Sequence, residues 1–226
     1  SALGVNDYNV NCKHVIDHEI HVYHGQDLFR LASYVNDKNT EAKDHYHTFY
    51  IHGRINLADV HKLVSNANEI YSISESKCDI SDYIFKKNDY FSNKLIMGND
   101  AVIVYEKDGS RCKLKHPLFT ELIDVNISNL KLDFDMNDTA QAALTNKVTG
   151  GNWKNITYSG TIESSIKEGN AVGGIAAEAK DVNWENTCLE DVEIDAVDAK
   201  SVGGLVGRLS GNSNINNMNC INSVKN

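Results

Sequence analysis

Proline is nearly missing from this chain: Pro117 is the single one among 226 residues. A chain so poor in proline suits strands whose N–H groups are committed to ladders on both sides. Long apolar runs are missing too. No stretch reaches the roughly 18 residues that a membrane-spanning helix requires. Ser1 to Asn6 carry no basic region with an apolar stretch behind it, so a secretory leader is either already removed or lies elsewhere in a longer protein. Cations are scarce, with 22 Lys and Arg against 31 Asp and Glu and a formal net charge of −9. Lys86-Lys87 is the one adjacent basic pair. Nucleic-acid binders need clustered cations to displace counterions, so nucleic acid is not expected as a partner. The five cysteines, Cys12, Cys78, Cys112, Cys188 and Cys220, are odd in number and show no C-x-x-C spacing. Disulfide frameworks favour even counts and short spacings, so mostly free thiols and a reducing working compartment are expected.

What the chain does have is a repeat. Ile127-Ser128-Asn129-Leu130, Trp153-Lys154-Asn155-Ile156, Trp184-Glu185-Asn186-Thr187 and Ile215-Asn216-Asn217-Met218 share the form apolar, polar, Asn, with asparagines 26, 31 and 31 residues apart. Beyond each phrase the apolar positions continue at Leu132, Tyr158, Leu189 and Cys220, the spacing of a strand that points alternate side chains inward. A second phrase marks another side of each unit: Pro117-Leu118-Phe119, Ala142-Ala143-Leu144, Val172-Gly173-Gly174-Ile175 and Val202-Gly203-Gly204-Leu205. The Gly-Gly pairs suit corners where backbone packs on backbone or takes a positive φ. Units of this length are too short for a strand, full helix and strand, and fit three short strands joined by turns, a parallel β-helix. Equivalent positions would stack about 4.8 Å apart. Asn129, Asn155, Asn186 and Asn217 would then form a structural amide ladder. Trp153 and Trp184 would stack inside the coils, since Ile127 and Ile215 hold the equivalent offsets.

The first part of the chain reads differently. Leu28, Leu31 and Val35 share one face of a helix over residues 26–35 with Asp27 in its first turn, suited to plugging the first coil. Leu57, Val60, Leu63, Val64 and Ala67 suggest a second helix after Asn56 as N-cap. Val102 to Tyr105, the turn Lys107-Asp108-Gly109-Ser110 and Cys112 to Leu114 read as a hairpin. The division expected is an α/β cap with an inserted helix over residues 1–93 and β-helix coils over 94–226. The end at Asn226, one coil after a strand and without a capping helix, reads as a fragment.

Val172-Gly-Gly-Ile-Ala and Val202-Gly-Gly-Leu-Val-Gly207, each followed by the Asn phrase, resemble the GLUG motif of bacterial secreted and surface proteins. Upstream, Ile20 to Leu28, Thr48 to Leu57 and Lys94 to Gly98 resemble the opening segments of those proteins. The Thr149-Gly150-Gly151 placement and residues 58–93 depart from the pattern. The resemblance implies a right-handed parallel β-helix in large exported proteins, adhesins and some secreted proteases among them, in which this part is non-catalytic.

Candidate sites are few. Asp191, Glu193 and Asp195 alternate with apolar residues along a strand, and Asp133 and Asp135 repeat the pattern. Such carboxylates can hold calcium or act as acid and base on a sugar. No aromatic or basic residue stands beside Asp191, Glu193 and Asp195 in sequence, which favours a solvated outer face. His14, His18, His21 and His24 have spacings that on a helix could bring two imidazoles to one zinc. Ile20 and Val22 argue instead for a strand that scatters the rings, so neither a metal nor a cofactor is expected. Cys12 near His14 and Cys78 near Asp79 lack the placed base that a nucleophile requires. The expectation is a non-catalytic binding or presentation module of a secreted virulence-type protein, an effector, toxin or adhesin, engaging a host protein or glycan. It would lie at the cell surface, outside the cell or in the host cytosol. The alternative is a glycan-active or proteolytic enzyme with its site in the cap or groove.

Overall fold

In the computed structural model of the chain, which describes residues 15–16, 18–35, 46–66, 69–86, 91–167, 170–216 and 224–225, alternation of apolar and polar residues produces a β-solenoid of about five turns. One face is a parallel ladder through Glu19–Val22, Thr48–Ile51, Leu95–Val104, Asn126–Asp133 and Asn152–Glu163. It continues through Asn183–Glu185 with Cys188–Asp195, then Asn214–Asn216 with Val224–Lys225. A second face stacks Phe119–Ile123, Thr145–Thr149, Ala176–Lys180 and Val206–Ser210, also parallel.

The repeat offsets are the register. Ile96, Ile127, Trp153, Trp184 and Ile215 are paired on successive strands, and the first four are buried. The indoles of Trp153 and Trp184 meet edge to face, centroids 4.9 Å apart at 65°, a contact worth about 0.5–1.5 kcal/mol beyond the area removed from water. Ile55, Ile103, Leu132, Tyr158 and Leu189 form a second buried row. At the corners, Val172 pairs with Val202. A Cβ on Gly173 would stand 2.1 Å from the Ala176 carbonyl oxygen, and one on Gly203 1.7 Å from that of Val206. Glycine is required there by close backbone packing, without a positive φ.

The helix forms over Gly25–Val35, with Leu28, Leu31 and Ala32 in the solenoid's core. The Asp27 carboxylate accepts from the backbone N–H groups of Tyr23 and His24, at 2.8 and 3.0 Å, which satisfies donors just ahead of the first turn. The hairpin around Asp108 and Gly109 is also present, with Glu106–Lys107 antiparallel to Ser110–Arg111 and both turn residues at positive φ.

Two expectations are corrected. No helix follows Asn56: Asp59–Asn66 is a strand, paired antiparallel over its whole length with Glu69–Ser76. Val60 and Val64, with Ile70, Tyr71 and Ile73 a turn away, favour extended backbone once a partner strand is in reach. The parallel ladder pairs Thr48–Ile51 directly with Leu95–Val104, strands on either side of residue 94. Finally, Cys78 and Cys112 form a disulfide with Cα atoms 5.6 Å apart, and Cys188 is disulfide-bonded as well. The first bond joins the segment leaving the hairpin to the strand region after Arg111, positions 34 residues apart in sequence. The expectation of mostly free thiols is overturned.

Candidate binding surfaces

The asparagine ladder is in place. Asn129, Asn155 and Asn186 adopt left-handed backbone with φ of 55°, 55° and 44°. The Asn155 amide donates to Asn129 Oδ1 at 2.8 Å, and that of Asn186 to Asn155 Oδ1 at 2.7 Å. Asparagine meets both demands at this turn, tolerating positive φ and offering a donor and an acceptor along the stack. Asn217 lies outside the described residues. A second ladder runs three residues earlier: Asn152 donates to Asn126 at 3.4 Å, Asn183 to Asn152 at 2.7 Å and Asn214 to Asn183 at 3.1 Å. The recurring Asn-x-x-Asn spacing is its sequence signal.

The carboxylates face outward, but they are not one patch. Asp133 and Asp135 share Arg111, whose guanidinium donates to them at 2.9 and 3.0 Å. Burial opposes the charge on Arg111, yet its hydrogen bonds to Asp135 and Asp133 prevail and raise its pKa. Asp135 Oδ1 also accepts from the Thr161 N–H at 3.0 Å. The basic partner of this acid pair is thus supplied by the neighbouring hairpin. Glu193 and Asp195 are exposed beside buried Val192 and Ile194. Asp191 is exposed as well. It sits at φ 51° in a bulge where the register shifts between Leu189 and Val192. Thr161 lies between Asp135 and Glu193 on the ladder, so the two acid groups are two rungs apart. Among the described residues no group of three or more His, Cys, Asp and Glu is placed to hold a metal ion.

The histidines sort differently from their sequence spacing. Glu19–Val22 is a strand, with Ile20 and Val22 inward and Glu19 and His21 outward. His18 is exposed and stacks on His47, centroids 5.3 Å apart. His24 is exposed, and His14 lies outside the described residues. His21 instead meets His52, which the sequence reading missed, with Nδ1 and Nε2 2.8 Å apart. Two phenol rings flank this pair: Tyr50 stacks on His21 at 4.8 Å and Tyr23 on His52 at 4.6 Å. The Glu19 carboxylate stands 3.4 Å from His21 Nε2. Partial burial, and secondarily the nearby His21, lower the pKa of His52.

A cleft of about 430 Å³ opens between the helix and the segment after the hairpin, where Phe29, Leu57 and Tyr83 face Asp59, Asp79 and Asp82. Asp82 pairs with Lys86 at 3.0 Å, and that hydrogen bond holds its carboxyl below the usual range. Cys78, Cys112 and Cys188 are spent in disulfides and offer no nucleophile. No helix among the described residues is long and apolar enough to cross a membrane. No protein-family model, curated protein or solved structure matches the chain.

Proposed function

We propose that this chain is a non-catalytic binding or presentation module of a secreted bacterial virulence-type protein, engaging a host protein or glycan through the outer face of its coils. The observation that carries this reading is the orientation of the charged side chains. Asp133, Asp135, Glu193 and Asp195 project from a rigid ladder, singly or paired with Arg111, in rows set by strand spacing. The second face repeats the arrangement, with Glu121, Lys147, Glu178 and Arg208 in one outward row of alternating sign. Fixed rows of charge select a partner by complementarity. Disulfides at Cys78, Cys112 and Cys188 fit an oxidising compartment, which favours an extracellular or surface location over the host cytosol. The GLUG resemblance points the same way.

The test is saturable binding of the labelled chain to host cells and to a glycan array, repeated with Asp191→Asn, Glu193→Gln and Asp195→Asn combined. At least a tenfold loss of affinity in a variant that melts like the parent supports the reading. Turnover of a glycan or peptide by the chain refutes it.

One observation favours a glycan-active enzyme as a second reading: the cleft joins aromatic walls to three carboxylates. A general acid needs a carboxyl that stays protonated. Asp82 is shifted in the opposite direction, which argues against it as that acid.

A further inference from the structure

We propose that His21 and His52 form a site for a divalent transition-metal ion on the outer face of the first coil, with His21 Nδ1 and His52 Nε2 as ligands and Glu19 behind His21. The two nitrogens already converge, 2.8 Å apart on neighbouring parallel strands. Imidazole binds zinc at about 2.0–2.1 Å, so two such nitrogens on one tetrahedral ion stand about 3.3 Å apart. The rings lie nearly parallel, centroids 5.0 Å apart at 7°, so both must turn for their lone pairs, now facing each other, to converge on one ion as the nitrogens part by that half ångström; the ion then replaces the proton lying between them.

The surroundings favour this exchange. Glu19 Oε2, 3.4 Å from Nε2, selects the His21 tautomer with its proton on Nε2 and its lone pair on Nδ1, the role a carboxylate plays behind a metal-bound histidine. Tyr50 and Tyr23, stacked against His21 and His52, hold both ring planes and limit the entropy lost on binding. His21 keeps 13% of its side-chain surface exposed, so the site is open to solvent. Water or a group carried by a partner completes the coordination, because the described residues supply no third ligand of the usual kinds. Imidazole pairs of this type suit Zn²⁺, Cu²⁺ and Ni²⁺ rather than Ca²⁺ or Mg²⁺.

Titration of the chain, its histidines ¹⁵N-labelled, with Zn²⁺ alone should show one saturable event that moves His21 Nδ1 and His52 Nε2 while the exposed His24 stays in place. His21→Gln or His52→Gln should weaken Zn²⁺ binding at least tenfold, Glu19→Gln about tenfold, and His24→Gln not at all. Shifts spread over the exposed histidines, or an unchanged affinity in His52→Gln, would overturn the assignment and mark the binding as adventitious. The labelled parent decides the matter without any variant, so a substitution that fails to fold leaves the test intact.

Discussion

Replacing Asn155 separates the two tasks that the ladder asks of one residue. Its amide donates to Asn129 and its carbonyl accepts from Asn186, at 2.8 and 2.7 Å, while its backbone stands at φ 55°. Each hydrogen bond contributes about 0.5–1.5 kcal/mol net, so removing both costs about 1–3 kcal/mol. Holding a side chain with a Cβ in the left-handed region costs roughly 1–2 kcal/mol more, a burden that asparagine carries better than alanine. Asn155→Ala should therefore lose about 2–5 kcal/mol. Asn155→Gly loses the same hydrogen bonds but not the backbone fit, and its unfolded chain is freer by about 0.5–1 kcal/mol. The glycine variant should end above the alanine variant by about 0.5 kcal/mol. Urea denaturation with the disulfides intact measures both, compared at equal slope. In a chain of this length the alanine variant should melt roughly 5–15 °C below the parent. An Asn155→Ala protein within about 0.5 kcal/mol of the parent, or more stable than Asn155→Gly, would refute this account of the turn.

Trp184→Ala should cost about 3–5 kcal/mol by leaving a cavity beneath Trp153. Trp184→Phe should cost clearly less, because the Trp184 Nε1–H is buried without a hydrogen-bond partner among the described residues, and calorimetric melting of the pair reads the difference. The Cys78–Cys112 bond closes a 34-residue separation, so replacing both cysteines by Ser should lower stability by about 3–4 kcal/mol through unfolded-state entropy. Thiol titration of the denatured, unreduced chain should find no more than one free thiol, and three or more would contradict the structure. Burial lowers the pKa of His116 below its ordinary 6.5, outweighing the nearby Asp82 and Asp138. The unfolded chain then takes up the proton first, so the contribution of His116 is intact above about pH 6.5 and is lost as pH falls through the lower folded value. Melting temperatures at pH 7.5 and 5 should draw closer in His116→Gln than in the parent.

Periodicity carried the solenoid into the sequence. The offsets of Asn129, Asn155 and Asn186 and of Trp153 and Trp184 are legible because a parallel stack repeats one local environment at every coil. The helix over Gly25–Val35 was legible for a similar reason, a local apolar spacing with an acid in its first turn. Residues 57–67 were not. Their apolar spacing fits a helix as well as a strand, and the Glu69–Ser76 partner decided between them. Contacts joining different coils leave no local trace. Arg111 reaches Asp133 and Asp135 from a hairpin, Cys78 bonds to Cys112 34 residues further on, and His21 finds His52 through the pairing of Glu19–Val22 with Thr48–Ile51. Sequence by itself determined the coil, its turns and its inward residues, because each follows from neighbours within one repeat. Tertiary structure alone decided which charges, thiols and imidazoles meet, because those partners are chosen by strand register and by the path of the chain between coils.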